Sequence, residues 1–176
     1  GRANELLLGG DEGVFLLKHE KGNKWSRRHL SNNPTGEVRQ GFGSNGTKFV
    51  TTIEPMHGSQ LSVYTSEKQS KDIKKWQRSI IDSTLDQGHA LATGDFMSTG
   101  TDQIVAGWRG TRRTGKVGIK FYYPDNNGKT KWESIVIDDN QMATEDIQVA
   151  DLNDDGKLDI IAAGRATNNL KIYFND

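Results

Sequence analysis

Cysteine is absent from the 176 residues, proline occurs three times, and the 23 basic and 23 acidic side chains cancel. Each absence closes a class of function. Without cysteine there is no disulfide framework, no thiolate nucleophile and no cysteine-bound zinc. Without net charge there is no global field to steer the chain onto nucleic acid or a lipid surface. No apolar run approaches the roughly 20 residues that a membrane-spanning helix needs. Nor is there a glycine-rich phosphate loop, a serine nucleophile elbow or a zinc-protease helix. What the chain does have is 20 glycines and 33% hydrophobic residues, a balance that suits a turn-rich β protein with one sizeable core. No signal peptide is visible, and the chain opens on Gly1 rather than methionine, so its natural beginning is expected to lie upstream.

The segment Asp151-Leu-Asn-Asp-Asp-Gly-Lys-Leu-Asp159 reads as a calcium loop. Asp151, Asn153, Asp155 and Asp159 place side-chain oxygens at alternate positions, the Lys157 carbonyl fills the gap, and Gly156 permits the sharp turn. Oxygen-only ligation suits a hard cation. An EF-hand would need Glu at the twelfth position, where Ala162 stands, and Ile147 and Val149 alternate with Gln148 as in a strand. The expected motif is therefore strand, loop, strand, and its plain rival is a polar turn that binds nothing. Corresponding loops lose ligands in Asp95-Phe-Met97-Ser-Thr99-Gly100 and nearly all of them in Gly43-Ser-Asn-Gly46, so one structural Ca²⁺ is expected. A calcium loop of modest affinity points to an extracytoplasmic setting, periplasmic or secreted.

Two repeats run in phase. Lys24-Trp25, Lys75-Trp76 and Lys131-Trp132 each open a short β-like segment, and blocks beginning at Gly1, Gly100 and Gly156 superpose. A period near 50 residues, holding about four short strands, is that of β-propeller blades. The expected fold is all-β, with four-stranded antiparallel blades at about 1–31, 32–82, 83–138 and 139–176 in one partial propeller. The first blade lacks its inner strand A and the last its outer strand D. The chain then reads as the C-terminal part of a larger propeller, expected to have seven blades, with the remaining half as its partner. In the last blade, strands are expected at 144–151, 158–164 and 170–174. Trp25, Trp76 and Trp132, at equivalent repeat positions, are expected to pack between blades.

Alternating strand direction puts the start of each strand A and each B–C loop on one face of such a disc. Glu54, His57, His89, Trp108, Arg109, Glu145, Asp146 and Arg165 are expected to converge there, opposite the calcium loop. Trp108 is either a sugar-stacking platform or a core residue. The basic hairpin Arg109-Gly-Thr-Arg112-Arg113-Thr-Gly-Lys116 is either an attraction for acidic sugars or a solvated turn.

These motifs resemble the FG-GAP, or VCBS, repeat family of calcium-binding β-propellers across essentially the whole chain. Ile53-Glu54-Pro-Met-His57-Gly58, Gly88-His89-Ala90, and Glu145-Asp146 with Ala163-Gly-Arg165-Ala-Thr-Asn168 look like the propeller of aldos-2-ulose dehydratase-type proteins. That resemblance implies a carbohydrate or keto-sugar ligand, such as 1,5-anhydrofructose, and a carbon–oxygen lyase reaction by β-elimination. His89, His57, Glu54 and Glu145 are the expected catalytic residues, with His89 as base or ligand, and Glu54 with His57 as an acid pair or a second divalent-metal site with His89. Trp108, Arg109, Arg165 and Asp146 are the expected substrate contacts. The alternative is a non-catalytic propeller that binds glycan or protein, as in adhesion modules.

Overall fold

The computed structural model describes residues 5–66, 76–125 and 131–176. The Gly1 end of the first repeat and Lys75 of the second tryptophan repeat lie outside the described residues. Among the described residues fourteen strands form four antiparallel sheets taken in chain order. The first holds β1 (Glu5–Gly10), β2 (Gly13–Glu20) and β3 (Lys24–Ser31). The second holds β4 (Glu37–Phe42), β5 (Lys48–Glu54), β6 (Gln60–Ser66) and β7 (Trp76–Asp82). The third holds β8 (Gly88–Gly94), β9 (Gln103–Trp108), β10 (Gly118–Pro124) and β11 (Trp132–Asp139). The fourth holds β12 (Thr144–Ala150), β13 (Asp159–Gly164) and β14 (Asn169–Tyr173). Among the described residues no helix is long and apolar enough to cross a membrane.

The sheets pack face to face in series, and each interface is its own hydrophobic core. Val14 meets Val50 and Tyr64 between the first and second sheets. Ile53, Leu61 and Val63 meet Leu91, Ile104 and Trp108 between the second and third, and Ala90, Val105 and Ile119 meet Met142, Ile147 and Ile160 between the third and fourth. Strand β9 is buried along its whole length, which is why it reads as the apolar run Ile104-Val-Ala, whereas β14 lies less covered and alternates. Strands β9 and β12 come close because Gly107 leaves room: a Cβ there would lie 2.4 Å from a Thr144 methyl. Trp76 and Trp132 pack against these cores, but Trp25 is 49% exposed and leans on His19 instead.

Each junction also carries a polar latch in the same register. A bulge near the end of β3, β7 and β11 precedes Ser31, Asp82 and Asp138, respectively. The third strand of the next sheet reaches back to it. Asp82 accepts from Lys120 Nζ at 2.8 Å and from the Tyr122 hydroxyl at 2.7 Å, and Asp138 from Lys171 Nζ at 2.9 Å and the Tyr173 hydroxyl at 2.7 Å. In the first junction the Tyr64 hydroxyl meets only Ser31 across the interface, at 2.9 Å, with Asn33 alongside. Burial would raise Asp82 and Asp138, but these bonds outweigh it and leave both below the ordinary carboxylate pKa; burial first, and then the facing carboxylate, pushes Tyr122 and Tyr173 well up.

Candidate functional site

Strands β8 and β12 each begin with a bulge, and the extra residue in each is a polar group at the end of the sheet. In β8, Gly88 and Ala90 pair with Trp108 and Gly107, leaving His89 out of register; in β12, Thr144 and Asp146 pair with Gly164 and Ala163, leaving Glu145 out. A bulge re-aims the side chain it adds. His57 joins them from the β5–β6 turn, held by a left-handed backbone at φ 53°. Arg109 and Arg165 follow the ends of β9 and β13.

The five side chains touch. The imidazoles of His57 and His89 stack with centroids 4.8 Å apart and planes 19° from parallel. Arg109 donates from Nη1 to Glu145 Oε2, and its Nη2 lies 3.5 Å from His57 Nε2. Arg165 Nη1 stands 3.8 Å from the other Glu145 oxygen, and His89 Nε2 stands 3.7 Å from the same oxygen. His89 Nδ1 is 2.9 Å from the Glu145 backbone carbonyl. A carbonyl only accepts, so Nδ1 carries the proton and neutral His89 keeps its lone pair on Nε2. By the same logic Arg109 only donates, so His57 offers it the Nε2 lone pair.

Electrostatics fix the charge states. Partial burial would raise Glu145, but the Arg109 hydrogen bond and the charges of His89, Arg109 and Arg165 outweigh it and hold the carboxyl below its ordinary range. Desolvation, then the charges of Arg109 and His89, push His57 below the usual imidazole value, so it is neutral at neutral pH. Glu145 is thus an anchored carboxylate beside the neutral His57 imidazole. With its one carboxylate already held by guanidinium, the cluster suits an anion or a carbonyl oxygen better than a second divalent cation.

Three of the expected residues do not join this group. Glu54 is 3% exposed and turned into the second sheet, where Thr52 Oγ1 and the Tyr64 hydroxyl donate to Oε1 at 2.6 Å each and Arg78 Nη2 donates to Oε2 at 2.6 Å. It is a buried structural ion pair, with no acid role left to it. Trp108 is 6% exposed, packs in the core, and donates its indole N–H to the Lys116 carbonyl at 2.8 Å, so it offers no open stacking face. Asp146 is exposed and its Oδ1 caps the Ile147 N–H at 2.8 Å, outside the Glu145 pairings. Glu37, at the start of β4, was not expected: burial raises its pKa against the pull of Arg39 and His89, and Asp146 pushes the same way as burial. The phrase Gly36-Glu37 at a strand start, parallel to Gly88-His89, is the signal that marks it.

At the opposite end, the Asp151 loop folds its oxygens inward. Asp155 N–H donates to Asp151 Oδ1 and to Asn153 Oδ1 at 3.2 Å each, and Gly156 N–H to Asp151 Oδ2 at 2.8 Å. Asp159 is wholly buried and takes only backbone N–H groups, from Leu152 and Asn175 at 2.9 Å each, with no cationic side chain beside it. A buried carboxylate without a counter-charge is costly, which is the condition a bound cation relieves. Among the described residues no three His, Asp or Glu side chains gather in metal-binding geometry. A cavity of about 630 Å³ also opens at this end, between the second and third sheets, with Phe49, Val63, Met97 and Trp132 among its walls. Comparison with models of known protein families and with curated proteins finds no match to this chain.

Proposed function

We propose that the four sheets are blades of a calcium-binding β-propeller of the FG-GAP/VCBS type, the C-terminal part of a larger ring in an exported carbohydrate-active protein. On this reading the end bearing His57, His89, Arg109, Glu145 and Arg165 eliminates water from a keto-sugar. The observation that carries it is the His89–Glu145 geometry: a tautomer held by a carbonyl, a free Nε2 lone pair, and a carboxylate 3.7 Å away to stabilise the imidazolium that forms. His89 Nε2 takes the proton next to the sugar carbonyl. As that C–H bond breaks, its electron pair moves onto the carbonyl as an enolate; when the enolate collapses, the carbonyl reforms, the C=C bond forms and the neighbouring C–O bond breaks toward the leaving hydroxyl. Arg165, whose side chain is 70% exposed, is free to turn toward the enolate oxygen while Arg109 holds Glu145. Because His57 stays neutral, the proton on His89 is the one at hand for the departing hydroxide, so water leaves from the same face and His89 is regenerated. Asp151, Asn153, Asp155, Asp159 and the Lys157 carbonyl would hold Ca²⁺, which supplies counter-charge and rigidity to the loop rather than chemistry.

The test is exchange of the proton next to the carbonyl of 1,5-anhydrofructose in D₂O, followed by NMR, with enone absorbance reporting elimination. His89→Gln should abolish both and leave the melting temperature within a degree or two. Exchange that survives in His89→Gln sinks the assignment. The second reading, a glycan binder without turnover, has the Phe49–Trp132 cavity in its favour, since 630 Å³ falls in the range of small-ligand pockets. It predicts sugar binding lost in Trp132→Ala and unchanged in His89→Gln.

A further inference from the structure

The loop at residues 95–103 is a backbone twin of the loop at 151–159. Gly94 pairs with Gln103 as Ala150 pairs with Asp159. Ser98 and Asp154 both take a left-handed conformation, at φ 52° and 60°, and Gly100 and Gly156 follow at 75° and 86°. Asp95 accepts from the N–H groups of Thr99 and Gly100 at 2.8 and 2.7 Å, as Asp151 does from those of Asp155 and Gly156.

The two differ in what satisfies the centre. Gln103, 1% exposed, donates from Nε2 to the Thr101 carbonyl at 2.6 Å and to Thr99 Oγ1 at 3.4 Å, and accepts at Oε1 from the Met97 N–H at 3.0 Å. Thr101 and Thr99 stand where Lys157 and Asp155 stand in the other loop, the carbonyl and carboxylate assigned to the cation. Asp159 has no proton to give them. In the second sheet the same register position, paired with Gly41, is Phe49, below a shorter loop.

We propose that the Gln103 amide is a built-in substitute for the cation, and that the residue in this register position decides whether a blade takes one. Gln closes its loop with its own N–H₂, Phe fills the space with a ring, and Asp requires an ion. The proposal rests on the calcium reading of the 151–159 loop, and the two can fail separately.

The experiment is calorimetric titration of the chelated full chain with CaCl₂, beside the triple variant Met97→Asn, Thr99→Asp, Gln103→Asp. The expected stoichiometry is one for the wild type and two for the variant. A wild type that takes none overturns the calcium reading of 151–159; one site in both proteins overturns the role of Gln103. Two single variants guard against misfolding. Gln103→Leu removes the donors without adding a ligand and should lower the melting temperature by about 3–6 °C with or without millimolar calcium. Gln103→Asp should melt as low without calcium and recover with it. An equal response of the two to calcium overturns the proposal.

Discussion

The junction between the first and second sheets and the two that follow use the same tyrosine in different electrical company. Tyr122 and Tyr173 bond to Asp82 and Asp138 of the preceding sheet, each with a lysine from the tyrosine's own strand, so the ion pair crosses the interface. Tyr64 also finds a carboxylate, but it is Glu54 of its own sheet, paired with Arg78 of that sheet too. What meets Tyr64 from the other side is neutral, the Ser31 hydroxyl with the Asn33 amide beside it. Identical architecture thus ties later sheets to their neighbours through a charged latch. The second sheet's buried ion pair stays within the sheet, and its charge link to the first is the long, solvent-facing Lys48–Glu5 contact at 4.0 Å. The lesson is that a buried acid stabilises whichever elements supply its partners, and moving it one strand changes what it joins.

The largest effect should come from Asp82→Ala or Asp138→Ala. Either leaves a lysine and a tyrosine hydroxyl at an interface without their acceptor, at a cost of about 3 kcal/mol in urea unfolding. Acid should act next. Both aspartates titrate below their unfolded values, so they add stability that is fully present above about pH 4 and is lost as pH falls through their lower folded values. Asp82→Asn should flatten the acid limb of a stability–pH curve, and an unchanged slope would deny the latch its charge. Tyr122→Phe and Tyr173→Phe should each cost about 1–1.5 kcal/mol. Ser31→Ala should cost the least, roughly 0.5–1 kcal/mol, because a neutral bond is lost and Asn33 still meets Tyr64. Hydrogen exchange should then find β1–β3 opening at lower free energy than β8–β11; the reverse order would undo the comparison.

The strand-rich plan could be read from the chain because it repeats. Lys24-Trp25, Lys131-Trp132 and the glycine blocks mark strands that recur in phase, and local alternation is a short-range property. The latches were also in plain view, as Lys120-Phe-Tyr122 against Lys171-Ile-Tyr173 and as Asp82 against Asp138, but their meaning depends on a neighbouring sheet. The candidate site was legible in part. His57, His89, Arg109, Glu145 and Arg165 follow from the rule that strand starts and alternate loops share an end. Glu54 and Trp108 obey the same rule and still turn inward, because Arg78 and the Lys116 carbonyl, 24 and 8 residues away, satisfy their polar atoms inside the fold. The Gln103 amide was hidden for a different reason: the residues at 97 and 99 marked a loop without the full set of oxygen side chains, and only the fold brings Gln103 to the Thr101 carbonyl and the Met97 N–H.

The extra residues that put His89 and Glu145 outside the pairing of β8 and β12 have a consequence for how such a protein changes over generations. Because each stands between two paired neighbours, mutating it alters neither the alternation of its strand nor the core beneath. What is chosen at these two positions is therefore set by the chemistry of the site rather than by the fold. An imidazole, a carboxylate or an amide can stand there at little expense in foldability, and a sheet that repeats the bulge offers the same position again.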